Sequence, residues 1–68
     1  MILTTQQQAQ NFALWALLNS EVFDDLDQAA RVAGLQREVC LVFGNHTFTD
    51  QALRELAEAA IAFYDLNY

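Results

Sequence analysis

The chain has 68 residues, 54% of them hydrophobic, and its nine acidic and three basic side chains give a net charge of −6. That length allows one domain, 1–68, which needs a well-filled core to be stable. The charge opposes binding to phosphate backbones or anionic lipid, the single cysteine excludes an internal disulfide, and no apolar run nears the ~20 residues that cross a bilayer.

In chain order, Met1-Ile2-Leu3 runs straight into Thr4-Thr5-Gln6-Gln7-Gln8, without the basic residues that open a leader, so a cytoplasmic location is expected. Thr4 or Thr5, with Gln7 or Gln8 three residues on, can form a capping box. Ala9, Phe12, Ala13, Ala16 and Leu17 then follow helical spacing, Leu14, Trp15 and Leu18 widen the apolar face, and Asn19-Ser20 closes the helix. Asp24 or Asp25 can cap a second helix, Asp25 with Gln28 in the reciprocal pattern. Leu26, Ala29, Ala30 and Ala33 form its expected inner face, and Gly34 suits the residue that stops it.

Residues 35–43 fit two templates. Leu35, Val39, Val42 and Phe43 have helical spacing. Val39 to Phe43 also reads as a buried strand that Gly44-Asn45-His46 would turn into Thr47-Phe48-Thr49. Thr49 or Asp50 caps the last helix, whose stripe is Leu53, Leu56, Ala57, Ala60, Phe63 and Tyr64, with Arg54 and Glu58 paired outside and Asp65 to Tyr68 frayed. The expected fold is mainly α, a bundle of about four helices. The alternative is α+β, with a hairpin at 39–49 between helices.

The residues offer little to catalysis. His46, with Cys40 six residues away, falls short of the three or four ligands a metal needs. Ser20 is the only serine and has no base at a recognisable spacing. Gly34 and Gly44 stand alone, so no phosphate loop is present. Asp24, Asp25 and Asp27 lack the glycine and distal glutamate of a calcium loop. No catalytic, cofactor-binding or metal-binding residue is assigned, and a protein that is not an enzyme is expected.

The expected activity is binding. Phe12, Trp15, Phe23, Phe43, Phe48, Phe63 and Tyr64 are more bulk than so small a body hides. Surplus apolar surface is therefore expected for a partner or for a second copy in a homodimer. Net acidity favours a basic protein partner and disfavours direct contact with nucleic acid or membrane. Glu21, Asp24, Asp25 and Asp27, joined by Glu38, are the candidate carboxylates, since such a cluster presents anionic oxygens to Arg and Lys as phosphates do. Trp15 and Phe23 are the candidate apolar anchors. For the acids the competing reading is a helix cap or a solvated face, and for Trp15 a place in the core.

Two stretches carry resemblances. The segment 27–43 resembles a helix-turn-helix, with small Ala30 four residues before Gly34 and apolar Ala33, Leu35, Cys40 and Phe43 at the expected places. That resemblance implies a helical pair in the middle of the chain and a small transcriptional regulator as one possible function. Its reading face, Gln36, Arg37, Glu38, Leu41 and Val42, has one basic residue, which argues against DNA binding.

Gln6, Gln7, Ala9, Phe12, Leu14 and Trp15 are similar to the opening helix of a small phage-encoded anti-CRISPR family directed at type I systems, with Phe43-Gly44 a further correspondence. The final helix has no counterpart there. This resemblance implies a non-enzymatic inhibitor that binds a CRISPR surveillance complex or its nuclease stoichiometrically in the infected bacterium. A self-associating phage assembly module is the alternative.

Overall fold

The computed structural model describes residues 4–68, and the start Met1-Ile2-Leu3 lies outside the described residues. The first helix, α1 (Thr5–Asn19), opens on the expected capping box. The Gln7 N–H donates to Thr4 Oγ1 at 3.1 Å and the Thr4 N–H to Gln7 Oε1 at 2.9 Å. Two orphan donors of the first turn are thereby satisfied. It ends where expected. The Ser20 N–H donates to the Ala16 carbonyl at 3.0 Å, and Asn19 Nδ2 donates to the Trp15 carbonyl at 2.9 Å. A single 3-10 turn, Glu21–Phe23, then leads to α2 (Gln28–Phe43) and α3 (Asp50–Asn67).

Three helices stand where about four were expected, because α2 runs unbroken through Gly34. The helix-turn-helix geometry expected for 27–43 is therefore absent. Gly34 does not have the positive φ that would stop a helix; among the described glycines that belongs to Gly44, at 101°. A glycine inside a helix costs about 1 kcal/mol relative to alanine, and good helix formers on both sides outweigh it. What Gly34 provides is room. A Cβ there would lie 2.8 Å from Cε1 of Phe23, whose ring rests on the helix backbone.

The cap of α2 is also displaced from expectation. Asp27 accepts from the Ala30 N–H at 2.9 Å, so neither Asp24 nor Asp25 is the cap. The buried stripe of α2 is Leu35 and Val39, flanked by half-buried Val32, Cys40 and Phe43. Of the expected inner face, Leu26, Ala29 and Ala33 are exposed and Ala30 is half-buried. Leucine and valine remove more apolar area from water than alanine does, and they set the rotation of the helix.

The hairpin alternative is excluded by the same helix, and no strand occurs among the described residues. Gly44 ends α2, its N–H bonded to the Cys40 carbonyl at 2.9 Å, and Thr47 Oγ1 donates to the Phe43 carbonyl. The segment that the hairpin alternative made a turn between strands thus joins two helices. Thr49 caps α3 by accepting from the Ala52 N–H at 3.1 Å. In that helix Leu53, Leu56, Ala57 and Ala60 are buried as expected, Ile61 joins them, and Phe63 is 48% exposed. The C-terminal end is helical to Asn67, where fraying was expected. Asp65 is held there by Arg31 at 3.3 Å, the ion pair found among the described residues in place of Arg54 with Glu58.

Packing follows side-chain size. The widest contact is between α1 and α3. On those two helices Ala9, Ala13, Ala16, Ala57 and Ala60 are all at most 5% exposed. Small residues let the two backbones approach closely, and α2 closes the core with Leu35 and Val39. Fully burying each of Leu35, Val39, Leu56 and Ile61 contributes roughly 1.5–3 kcal/mol.

Candidate partner-binding face

The five candidate carboxylates do not form one cluster. Asp27 is a helix cap, with an oxygen committed to Ala30. Asp24 lines a small cavity of about 70 Å³ with Leu17, Phe23, Arg31 and Tyr64. Glu21 and Asp25 are exposed on the connecting segment. Glu38 is half-buried on α2, beside the C-terminal end of α1.

Of the two candidate anchors, one is buried and one is exposed. Phe23 is 8% exposed and packs on Gly34, so it belongs to the core and is not a free anchor. Trp15, whose competing reading was core, is 59% exposed. The reason lies in α1. Its core face is the alanine stripe 9, 13 and 16, and Trp15 sits two positions past Ala13, about 200° round the helix. The indole stacks on Phe12, with centroids 5.9 Å apart and planes inclined at 24°. Phe12 in turn meets Phe43 edge-on at 6.0 Å, which ties the aromatic row to the end of α2.

Trp15 and Glu38 share a depression of about 140 Å³ between α1 and α2, lined also by Phe12, Ala16, Asn19, Ser20 and Phe23. No side chain among the described residues hydrogen-bonds or ion-pairs with the Glu38 carboxylate. Asn19 has its amide nitrogen engaged by the Trp15 carbonyl, which leaves its oxygen as an acceptor at the rim.

None of the three basic residues of the chain, Arg31, Arg37 and Arg54, lines that depression. Arg31 pairs with Asp65 and Gln28. Arg37 and Arg54 line a shallow depression of about 340 Å³ with Gln36, Cys40, Asp50 and Leu53. The α1–α2 depression is thus lined by apolar and uncharged polar residues around one carboxylate.

Sequence reasoning missed two exposed residues of α2. Leu41 and Val42 are 73% and 60% exposed and lie three and four positions beyond Glu38, on the same helix face. For Leu41 the signal was available, since it lies about 200° round the helix from Val39, whereas Val42 is in register with Leu35 and Val39 and reads from spacing as part of the stripe. Among the described residues no group of three or more His, Cys, Asp or Glu is placed to hold a metal ion. His46 is exposed in the loop and Cys40 is half-buried. No helix among the described residues is long and apolar enough to cross a membrane.

Fold and face together define a class, a small helical protein with three α-helices among the described residues and an aromatic depression that holds one carboxylate. Compared with models of known families, with curated proteins and with solved structures, the chain finds no match in any of the three.

Proposed function

We propose that this chain is a non-enzymatic binding protein of a phage or mobile element. In this reading it inhibits a type I CRISPR surveillance complex or its nuclease by stoichiometric occupation of a basic surface. The observation that carries the reading is the depression that holds exposed Trp15 and Glu38, which no arginine lines and in which the carboxylate has no partner among the described residues. An exposed indole beside a carboxylate suits a basic protein surface with apolar character, since large aromatics dominate interface energetics and opposite charge steers the encounter. The choice of target rests on the resemblance of Gln6, Gln7, Ala9, Phe12, Leu14 and Trp15 to the opening helix of type I anti-CRISPR proteins. The site of action on this reading is the bacterial cytoplasm.

The test is a plaquing assay in a bacterium whose type I system restricts a targeted phage. Expression of the protein is expected to restore plaquing, with no effect in a host lacking the system. Failure in both type I-E and type I-F hosts, with the protein present and folded, refutes the target. A second reading, a self-associating assembly module, is favoured by the exposure of Leu41 and Val42. Light scattering separates the two: a monomer at tens of micromolar excludes assembly through that face.

A further inference from the structure

We infer that the depression between α1 and α2 is a receptor for one arginine side chain presented by the basic partner. In it the guanidinium lies on the exposed face of the Trp15 indole and its fork pairs with the Glu38 carboxylate. The inference deepens the proposed function and rests on it for the source of the arginine.

Four observations converge on that occupant. The indole has Phe12 stacked at 5.9 Å on one side, and Trp15 is 59% exposed, so ring surface remains open. Tryptophan is the best aromatic partner for a cation, through the negative face of its ring system. Glu38 is half-buried in the wall of the same depression and has no partner among the described residues. A carboxylate in that position accepts two parallel N–H bonds from a planar guanidinium.

The rim supplies further acceptors suited to a group with five donors and no acceptor of its own. Asn19 keeps its oxygen free because its nitrogen is bound by the Trp15 carbonyl, and the Ser20 hydroxyl lies beside it. Finally, none of the chain's own arginines lines the depression or pairs with Glu38, so no internal guanidinium occupies the site. Arginine is preferred to lysine on chemical grounds. It stacks and forks, whereas an ammonium is a compact, strongly hydrated point charge.

The experiment uses the whole chain and its single tryptophan. N-acetylarginine amide and N-acetyllysine amide are titrated separately at constant ionic strength, followed by Trp15 fluorescence and by the indole N–H resonance. Saturable binding of the arginine probe is expected, at least ~3-fold tighter than the lysine probe. Glu38→Gln, shown to be as helical as the native chain by circular dichroism, is expected to weaken the arginine probe about 10-fold. Non-saturable change, equal affinity for both probes, or saturable binding that Glu38→Gln leaves intact would each overturn the inference. Failure here with plaquing restored removes the receptor and leaves the inhibitor. Arginine binding without restored plaquing keeps the receptor and removes the target.

Discussion

Replacing Gly34 by alanine puts two effects of opposite sign at one atom. In a helix interior, alanine is favoured over glycine by about 0.8–1.0 kcal/mol. The new Cβ would lie 2.8 Å from Cε1 of Phe23, with Cζ and Cδ1 of the same ring at 3.6 and 3.7 Å. Carbon atoms rest at roughly 3.5–4.0 Å, so the ring must retreat by about 0.7 Å or more. Phe23 is 8% exposed and Leu17 packs near it, so the retreat disturbs the core. Overpacking of this kind costs about 1–3 kcal/mol. The steric term wins, and Gly34→Ala is expected to destabilise the protein by about 1 kcal/mol, a fall of about 4–8 °C in Tm for a domain this size.

Phe23→Leu isolates the cause, because leucine ends at Cδ and lacks the atoms that collide. In that background Gly34→Ala is expected to stabilise by nearly the full ~1 kcal/mol of helix propensity. The pair therefore carries a coupling of about 2 kcal/mol, well above the ~0.5 kcal/mol within which independent sites add. Urea unfolding followed by circular dichroism measures all four proteins of the cycle. Additive effects, or a stabilising Gly34→Ala in the native background, would refute the account of Gly34 as the seat of Phe23.

Three further perturbations probe other parts of the chain. Asp27→Ala should cost about 1 kcal/mol in thermal unfolding as a lost cap, while Asp25→Ala should leave Tm unchanged; equal effects would mean that the cap is misassigned. Gly44→Ala forces a side chain onto a backbone with φ 101° and ψ 150°, a region held almost solely by glycine, and should cost roughly 1–3 kcal/mol by urea titration. Leu35→Ala, at a fully buried position, should cost about 2–5 kcal/mol, whereas Trp15→Ala should cost far less despite removing a larger side chain, and a Trp15 cost matching that of Leu35 would place the indole in the core.

Local signals in the sequence served best where a single turn of chain decides the outcome. Thr4 with Gln7, Asn19-Ser20 and Thr49 were legible, because capping depends on residues three or four apart. Gly34 misled for the complementary reason. The small residue and glycine that a helix-turn-helix uses to bring two helices together are used here to seat a ring that arrives from a separate 3-10 turn. The sequence near Gly34 contains both possibilities, and only the position of Phe23 chooses between them. The inner face of α2 failed for a related cause. Ala29, Ala30 and Ala33 have helical spacing, but continuity through Gly34 places them on the same helix as Leu35 and Val39, and the larger residues decide which side is buried.

The candidate face was legible in composition and not in position. Excess aromatic bulk called for exposed apolar surface, and the exposed set includes Trp15, Leu41, Val42 and Phe63. Which aromatics are left outside depends on the alanine stripe of α1, since Ala9, Ala13 and Ala16 admit α3 closely and turn Trp15 away. The acids follow the same logic. Asp24, Asp25 and Asp27 crowd together in sequence, yet Asp27 serves the backbone and Asp24 lies across Phe23 beside Arg31. Glu38, separated from them by more than two turns of helix, is the carboxylate that the packing brings beside Trp15. A charge cluster in sequence is thus a poor guide to a charge cluster in space. Where a carboxylate has neither a cap nor an arginine to satisfy, and faces an open indole, its remaining hydrogen-bonding capacity is available to a partner.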